Sequence, residues 1–175
     1  MAIEPSGKPL FKLGGTPSPV SVTLENANSE ELLGGQHDAN FVENYLDVFD
    51  NGNNRERPAR GLKIELHQAV DGRWNGSVVA EYVDPRELSS VCTGSIEAAD
   101  ELVLVGWGCS KNGFTVFSDD SSAPLFSAWL EESPTNSEYL TSPLGLEELR
   151  YSFGYRVRFS DETIKFVESS SARQP

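Results

Sequence analysis

The sequence predicts an all-β, mainly antiparallel fold, a single-domain sandwich or barrel of about eight to nine strands with one or two short helices. Three stretches carry that prediction. In the first, Leu62, Ile64 and Leu66 alternate with Lys63, Glu65 and His67, and after Asp71-Gly72 the chain returns with Trp74, Val78, Ala80 and Tyr82 at even positions. This is the period-2 pattern of two half-buried strands joined as a hairpin over Gly61–Pro85. In the second, Glu101–Gly108 (ELVLVGWG) is the most continuously apolar run of the chain, as expected of a central strand buried on both faces. In the third, Tyr151, Phe153, Tyr155, Val157 and Phe159 alternate with Ser152, Gly154, Arg156 and Arg158.

The remaining elements follow in order. Residues 1–17 mix Pro5, Gly7, Pro9, Gly14, Gly15 and Pro17 with few apolar side chains and predict a flexible N-terminal arm; residues 18–168 form the single β domain and 169–175 a tail. Pro19–Glu25 alternates Val20, Val22 and Leu24 with Ser21 and Thr23, a first strand. Ser29–Leu33 before Gly34-Gly35 fits one helical turn with a glycine stop, or a loop. Gly34–Asn40 reads as a flexible polar loop. Phe41–Phe49 is expected to be a strand, although Phe41, Tyr45, Val48 and Phe49 also fit helical spacing. Asp50–Gly61 is a polar loop carrying Arg55, Arg57 and Arg60.

Parity fixes the register of the hairpin, because its even positions share one face only if the connecting loop is odd in length. A three-residue loop Val70-Asp71-Gly72, with Gly72 left-handed, satisfies this. Leu62, Ile64 and Leu66 are then expected on one face with Trp74, Val78 and Tyr82. His67 falls opposite Asn75 on the other, among Glu65, Ser77 and Glu81. Asp84-Pro85 closes the hairpin and caps a short helix over Arg86–Val91. Asn112-Gly113 marks a tight turn into a strand at Phe114–Ser118. A loop at Asp119–Pro124 and a strand at Leu125–Leu130 follow. Glu131–Pro143 is an acidic surface excursion, Leu144–Leu149 a helical turn, and Ile164, Phe166 and Val167 follow the Tyr151–Phe159 strand.

The 175 residues suffice for one domain with a real core and no need of disulfides or metals. Asp and Glu number 27 against 14 Lys and Arg, a net charge of −13 that repels phosphate backbones and anionic lipids, so neither nucleic acid nor membrane is expected as a partner. No apolar run approaches the roughly 20 residues of a membrane span. The start Met1-Ala2-Ile3-Glu4-Pro5 lacks the basic and apolar regions of a signal peptide, so a cytoplasmic or intravirion location is expected. Cys92 and Cys109 flank the apolar 101–108 strand and are expected to be thiols rather than a bridge. The sequon Asn75-Gly76-Ser77 is read as a chance match.

No nucleophile elbow, no cysteine-protease signature and no HExxH motif occurs. His67, with Glu65 and Glu81 near it in the expected register, is the candidate for acid–base catalysis. The competing reading is a surface histidine on a wet sheet face. His37-Asp38 is the only other place that offers an imidazole, and it lies in an ordinary loop composition. Asp47, Asp50, Asn51, Asn53 and Asn54, like Asp119-Asp120-Ser121-Ser122, offer oxygen ligands but do not match the EF-hand pattern; no metal and no cofactor is expected. Arg55, Arg57 and Arg60 are expected to pair with acidic side chains, and Arg156 and Arg158 share a strand face. Candidate ligand-binding residues are Asn75, Trp74, Tyr82, Trp107, Tyr151 and Tyr155, through aromatic stacking or a cavity lining. Core filling is the competing role for these rings.

Scarce and unpatterned catalytic residues favour a non-catalytic β domain that recognises a small molecule, a glycan or a protein, with oligomerisation open to it. A small β-barrel enzyme of the isomerase, cyclase or hydratase kind, working on an apolar ligand by acid–base chemistry, is the first alternative. A structural component of a virion or other assembly is the second.

Overall fold

The structure is a computed structural model and describes residues 2–3, 6–7, 9–28, 32–53, 57–86, 94–108 and 113–129. Among these, the strands are β1 (Ala2–Ile3), β2 (Pro9–Phe11), β3 (Thr23–Leu24), β4 (Gln36–Val42), β5 (Tyr45–Asp50), β6 (Arg60–Gln68), β7 (Trp74–Tyr82), β8 (Ser95–Ala99), β9 (Leu102–Gly106), β10 (Gly113–Ser118) and β11 (Pro124–Trp129). They build a five-stranded sheet in the order β3-β7-β6-β5-β4, a four-stranded sheet in the order β11-β10-β9-β8, and the small β1-β2 pair. All neighbours are antiparallel except β3 and β7. The fold is thus an all-β sandwich. The eleven strands among the described residues include four that the sequence pattern does not assign, β1, β2, β4 and β8, while two of the expected strands, at Tyr151–Phe159 and around Ile164–Val167, lie outside the described residues.

The central hairpin has the expected loop. Ala69 N–H donates to Arg73 O at 2.8 Å and Gly72 N–H to Ala69 O at 2.8 Å, leaving Val70, Asp71 and Gly72 as the loop with Gly72 at φ 83°. His67 lies opposite Asn75, Leu66 opposite Gly76 and Ile64 opposite Val78. The register then slips: Lys63 pairs with Ala80 and Leu62 with Glu81, so Val79 is an extra residue in β7. This bulge reverses the facing of everything beyond it. Tyr82 does not share a face with Leu62, Ile64 and Leu66 as the uninterrupted alternation predicts; it lies opposite Gly61 on the other side. Glu81, for the same reason, leaves the face of Glu65 and His67.

One hairpin therefore serves two cores. On one side Leu46, Val48, Leu62, Ile64 and Leu66 are buried under Phe11, Leu13, Val22, Leu24 and Leu32, with Trp74 and Val78 partly buried beside them. Phe11 and Leu13, which the sequence pattern assigns to an N-terminal arm, belong to this core. On the other side Phe49, Ala59 and Tyr82 meet Ile96, Val103, Val105, Trp107 and Phe117 of the second sheet. The rings there pack edge-on or tilted, Trp107 at 6.2 Å from Phe49 and 6.3 Å from Phe117, Tyr82 at 5.5 Å from Phe117. β9 is central and buried throughout, as its composition predicts. Its outward residues Leu102 and Leu104 join Val116 in a third, smaller cluster.

Phe41–Phe49 is not a single strand. Glu43-Asn44 turns the chain between β4 and β5, with Glu43 at φ 55°, and Val42 pairs with Tyr45. The loop reading of Gly34–Asn40 is likewise replaced by β4, whose irregular stretch between His37 and Asn40 places Asp38 at φ 50°. The Asp38 carboxylate accepts from Ile96 N–H at 3.0 Å, and Asn40 Nδ2 donates to Ile96 O at 3.3 Å, so this edge strand stitches the first sheet to β8. Of Pro19–Glu25 only Thr23–Leu24 is strand, paired parallel to Asn75 and Gly76. Cys92, Cys109, most of the expected Arg86–Val91 helix, the Asn112-Gly113 turn signal at its Asn, and everything from Leu130 onward lie outside the described residues.

Gly76 is required by close approach rather than by φ. A Cβ there would stand 2.3 Å from Glu65 O and 2.7 Å from Leu66 Cδ2, and the backbone oxygen cannot swing away. Gly76→Ala is expected to destabilise the fold by about 1–3 kcal/mol through overpacking, read as a lower urea midpoint at unchanged slope; an unchanged midpoint refutes the close approach of β6 and β7 at this point.

Candidate functional site

The face of the first sheet that looks toward the second changes character along the strands. Its apolar part is the layer Phe49, Gly61 and Tyr82. The next layer sets Asp47 opposite Lys63 and Lys63 opposite Ala80, the following one joins Tyr45, Glu65 and Ser77, and the last pairs His67 with Asn75. A polar strip thus runs from the exposed His67 into the sandwich.

Its buried end is the most constrained polar cluster on this face. Asp119, in the turn after β10, reaches the first sheet: Lys63 Nζ donates to its Oδ2, and the Tyr82 hydroxyl donates to its Oδ1 at 2.6 Å. Lys63 Nζ also stands 4.9 Å from the centre of the Tyr45 ring. Asp47 is only 6% exposed, and its Oδ1 has no hydrogen-bond partner among the described residues. Burial pushes the Asp47 carboxyl up to about 6; Lys63 opposes the shift and Asp119 adds to it. Burial, followed by the hydrogen bond to Asp119, holds the Tyr82 phenol well above its ordinary value. Asp47, Lys63 and Tyr82 have the chemistry of proton-transfer groups. Tyr82 is fully buried and Asp47 nearly so, while Lys63 and Asp119 stay partly exposed, and the bonds to Asp119 tie the two sheets together.

A second network lies between β9, β10 and the segment after β7. Trp107 Nε1–H donates to Thr115 Oγ1 at 2.9 Å, Thr115 donates to Asp84 Oδ2 at 3.0 Å, and Ser127 Oγ lies 3.0 Å from Thr115 Oγ1. Arg86 Nε and Nη2 grip the Asp84 carboxylate at 2.7 and 2.9 Å, and Arg86 N–H adds a 3.0 Å bond to Asp84 Oδ1. Burial raises the Asp84 carboxyl, but the bonds from Arg86 and Thr115 outweigh it and hold the group below its usual range.

The candidate residues are consequently dispersed. His67, Glu65 and Asn75 stay together on the polar strip, His67 exposed. Glu81 is on the opposite face, where it accepts from Arg60 Nη1 at 2.7 Å and borders an open groove of about 530 Å³ with Asn26, Asn28, Leu32 and Val79. Trp74 packs on Phe11 at 5.1 Å, within the first core. Tyr82 and Trp107 are fully buried in the second. Tyr151 and Tyr155 lie outside the described residues. Among the described residues no three His, Cys, Asp or Glu side chains come together as metal ligands would. Arg57 and Arg60 do pair with acidic side chains, both with Asp50.

Sequence reasoning passed over Asp47, Lys63 and Asp119 as a cluster, and Asp84 with Thr115. Lys63 occupies an ordinary polar position of an alternating strand, Asp47 falls on the face of Tyr45 and Phe49 with nothing to indicate its partner, and Asp119 sits 56 residues from Lys63 in a turn-like run. No spacing announces such a meeting. Compared with known proteins, the chain matches no family model, no curated protein and no solved structure.

Proposed function

We propose that this protein is a non-catalytic β sandwich that assembles with, or binds, a protein partner along the margins of its sheets. The observation that carries this reading is the apolar dressing of the outermost strands. β4 bounds the five-stranded sheet and exposes Phe41 and Val42; β11 bounds the four-stranded sheet among the described residues and exposes Leu125 and Phe126. An edge strand is a template for pairing; the irregular stretch at His37–Asn40 guards the start of β4 and Pro124 the start of β11, and the exposed apolar side chains lie beyond both guards. Adjacent exposed apolar side chains on such an edge favour association. The barrel-enzyme alternative needs a ligand chamber between the sheets, and the fully buried Phe49, Tyr82, Trp107 and Phe117 occupy that space.

Light scattering against concentration tests the reading. The wild type is expected to associate reversibly, and Phe126→Lys or Val42→Lys to move it toward monomer, with each variant's urea midpoint measured alongside because Phe126 also packs on Phe114 at 6.1 Å. A wild type that stays monomeric at high concentration, with both variants indistinguishable from it, counts against assembly.

A further inference from the structure

We propose that Asp47, Lys63, Asp119 and Tyr82 form a pH-operated latch between the two sheets, closed when Asp47 is neutral and loosened when it ionises. Lys63 is the pivot. It is the cross-strand partner of Asp47, yet its ammonium is given to Asp119, in the turn that follows β10 of the other sheet. The same carboxylate holds the Tyr82 hydroxyl, so Asp119 is anchored to the first sheet at two points, on β6 and on β7. With Asp47 protonated, one carboxylate faces one ammonium and the charges balance. Ionising Asp47 buries a second carboxylate beside the same lysine, and Lys63 is then drawn back toward its neighbour on β5 and away from the turn.

The groups facing Asp47 support this count. β6 contributes Lys63 and, one layer out, Glu65; its own strand contributes Tyr45; β7 contributes Tyr82; the turn contributes Asp119. β4 sets the uncharged Asn40 opposite Asp47, and the Asp38 carboxylate on that strand is engaged by Ile96 N–H. Glu97 of β8 pairs with Leu104 on the outward side of the second sheet. No cation other than Lys63 is among these groups.

Backbone amide exchange in the intact protein reads the latch directly. Asp119 N–H donates to Glu101 O at 2.9 Å and Ser118 N–H to Ala123 O at 2.9 Å, so both amides report whether the turn is held. After correction for the intrinsic pH dependence of exchange, their exchange in the wild type should accelerate by about tenfold between pH 5 and pH 7.5, the factor that one pKa unit carries. Asp47→Asn should show slow exchange at both pH values, and Asp119→Asn fast exchange at both. Wild-type protection that ignores pH, or an Asp47→Asn protein that keeps the same acceleration, overturns the proposal. A carboxyl carbon titration of the wild type serves if a variant does not fold: the Asp47 resonance should titrate with a midpoint near 6, and an Asp47 that titrates in the ordinary carboxylate range overturns the latch equally.

Discussion

Asp50→Ala is expected to remove about 3–5 kcal/mol of stability, because it strips the counter-charge from a buried ion-pair network. Asp50 is fully buried. Its Oδ1 accepts from Gly34 N–H at 2.7 Å and Gly52 N–H at 3.1 Å; its Oδ2 accepts from Arg57 Nη2 at 2.5 Å and Arg60 Nε at 3.2 Å. Both guanidinium groups also donate to Leu32 O, at 2.5 and 3.0 Å. One carboxylate thus joins the segment before β4, the end of β5, the loop after it and the first residue of β6. Domains of this size are stable by only about 5–15 kcal/mol, so the alanine variant should unfold at markedly lower urea concentration. Asp50→Asn should fall between the two, keeping an acceptor while losing the charge that the arginines need. Because the carboxylate is fully buried, moderate salt should change the difference little. A loss below about 1 kcal/mol, the usual value of an exposed pair, would show that the network is dispensable.

Asp47→Asn is expected to act in the opposite direction. The folded protein holds the Asp47 carboxyl near 6, above the ordinary 3.8 that an unfolded chain would show. A carboxyl raised on folding favours the native state most when protonated, so this group's contribution is complete below about pH 4, is lost as pH rises through 6, and stays lost above it. A rise of that size corresponds to at most about 3 kcal/mol. Asparagine cannot ionise. The variant should therefore match the wild type within error at pH 4 and exceed it by about 2 kcal/mol at pH 7.5, measured as the difference between paired denaturation curves so that other titrating groups cancel. Equal stability at both pH values would mean that Asp47 is hydrated and ionises freely.

These two carboxylates also illustrate what a sequence discloses. Asp50 and its arginines are separated by at most ten residues, and the excess of acid made their pairing the natural expectation. Asp47 shares its strand face with Tyr45 and Phe49, so alternation sets it among aromatic rings without saying what faces it; the sheet and turn that bury it are assembled from distant residues. The same division holds for the fold. The hairpin loop, the His67–Asn75 pairing and the buried β9 were legible because apolar alternation and Asp-Gly chemistry are local. The Glu43-Asn44 turn was not, since neither residue is glycine or proline and the apolar rings continue on both sides of it. β8 escaped notice because Ser95–Ala99 supplies a single large apolar residue, Ile96, to the core. The bulge at Val79 leaves no mark, lying between one valine and an alanine that would suit an unbroken strand equally well.

That bulge makes β7 a strand with two phases. Deleting Val79 would not merely shorten it; it would rotate Ala80–Tyr82 by half a turn, pulling a phenol out of the inter-sheet layer and driving the Glu81 carboxylate toward it. Evolution can therefore lengthen or trim this hairpin freely at its Val70–Gly72 tip, where parity is reset by the loop, but not in its middle. Any chain that shares this architecture should show its apolar pattern slipping by one position at the equivalent of Val79, and a comparison that forbids a gap there would align one core of the molecule while misplacing the other.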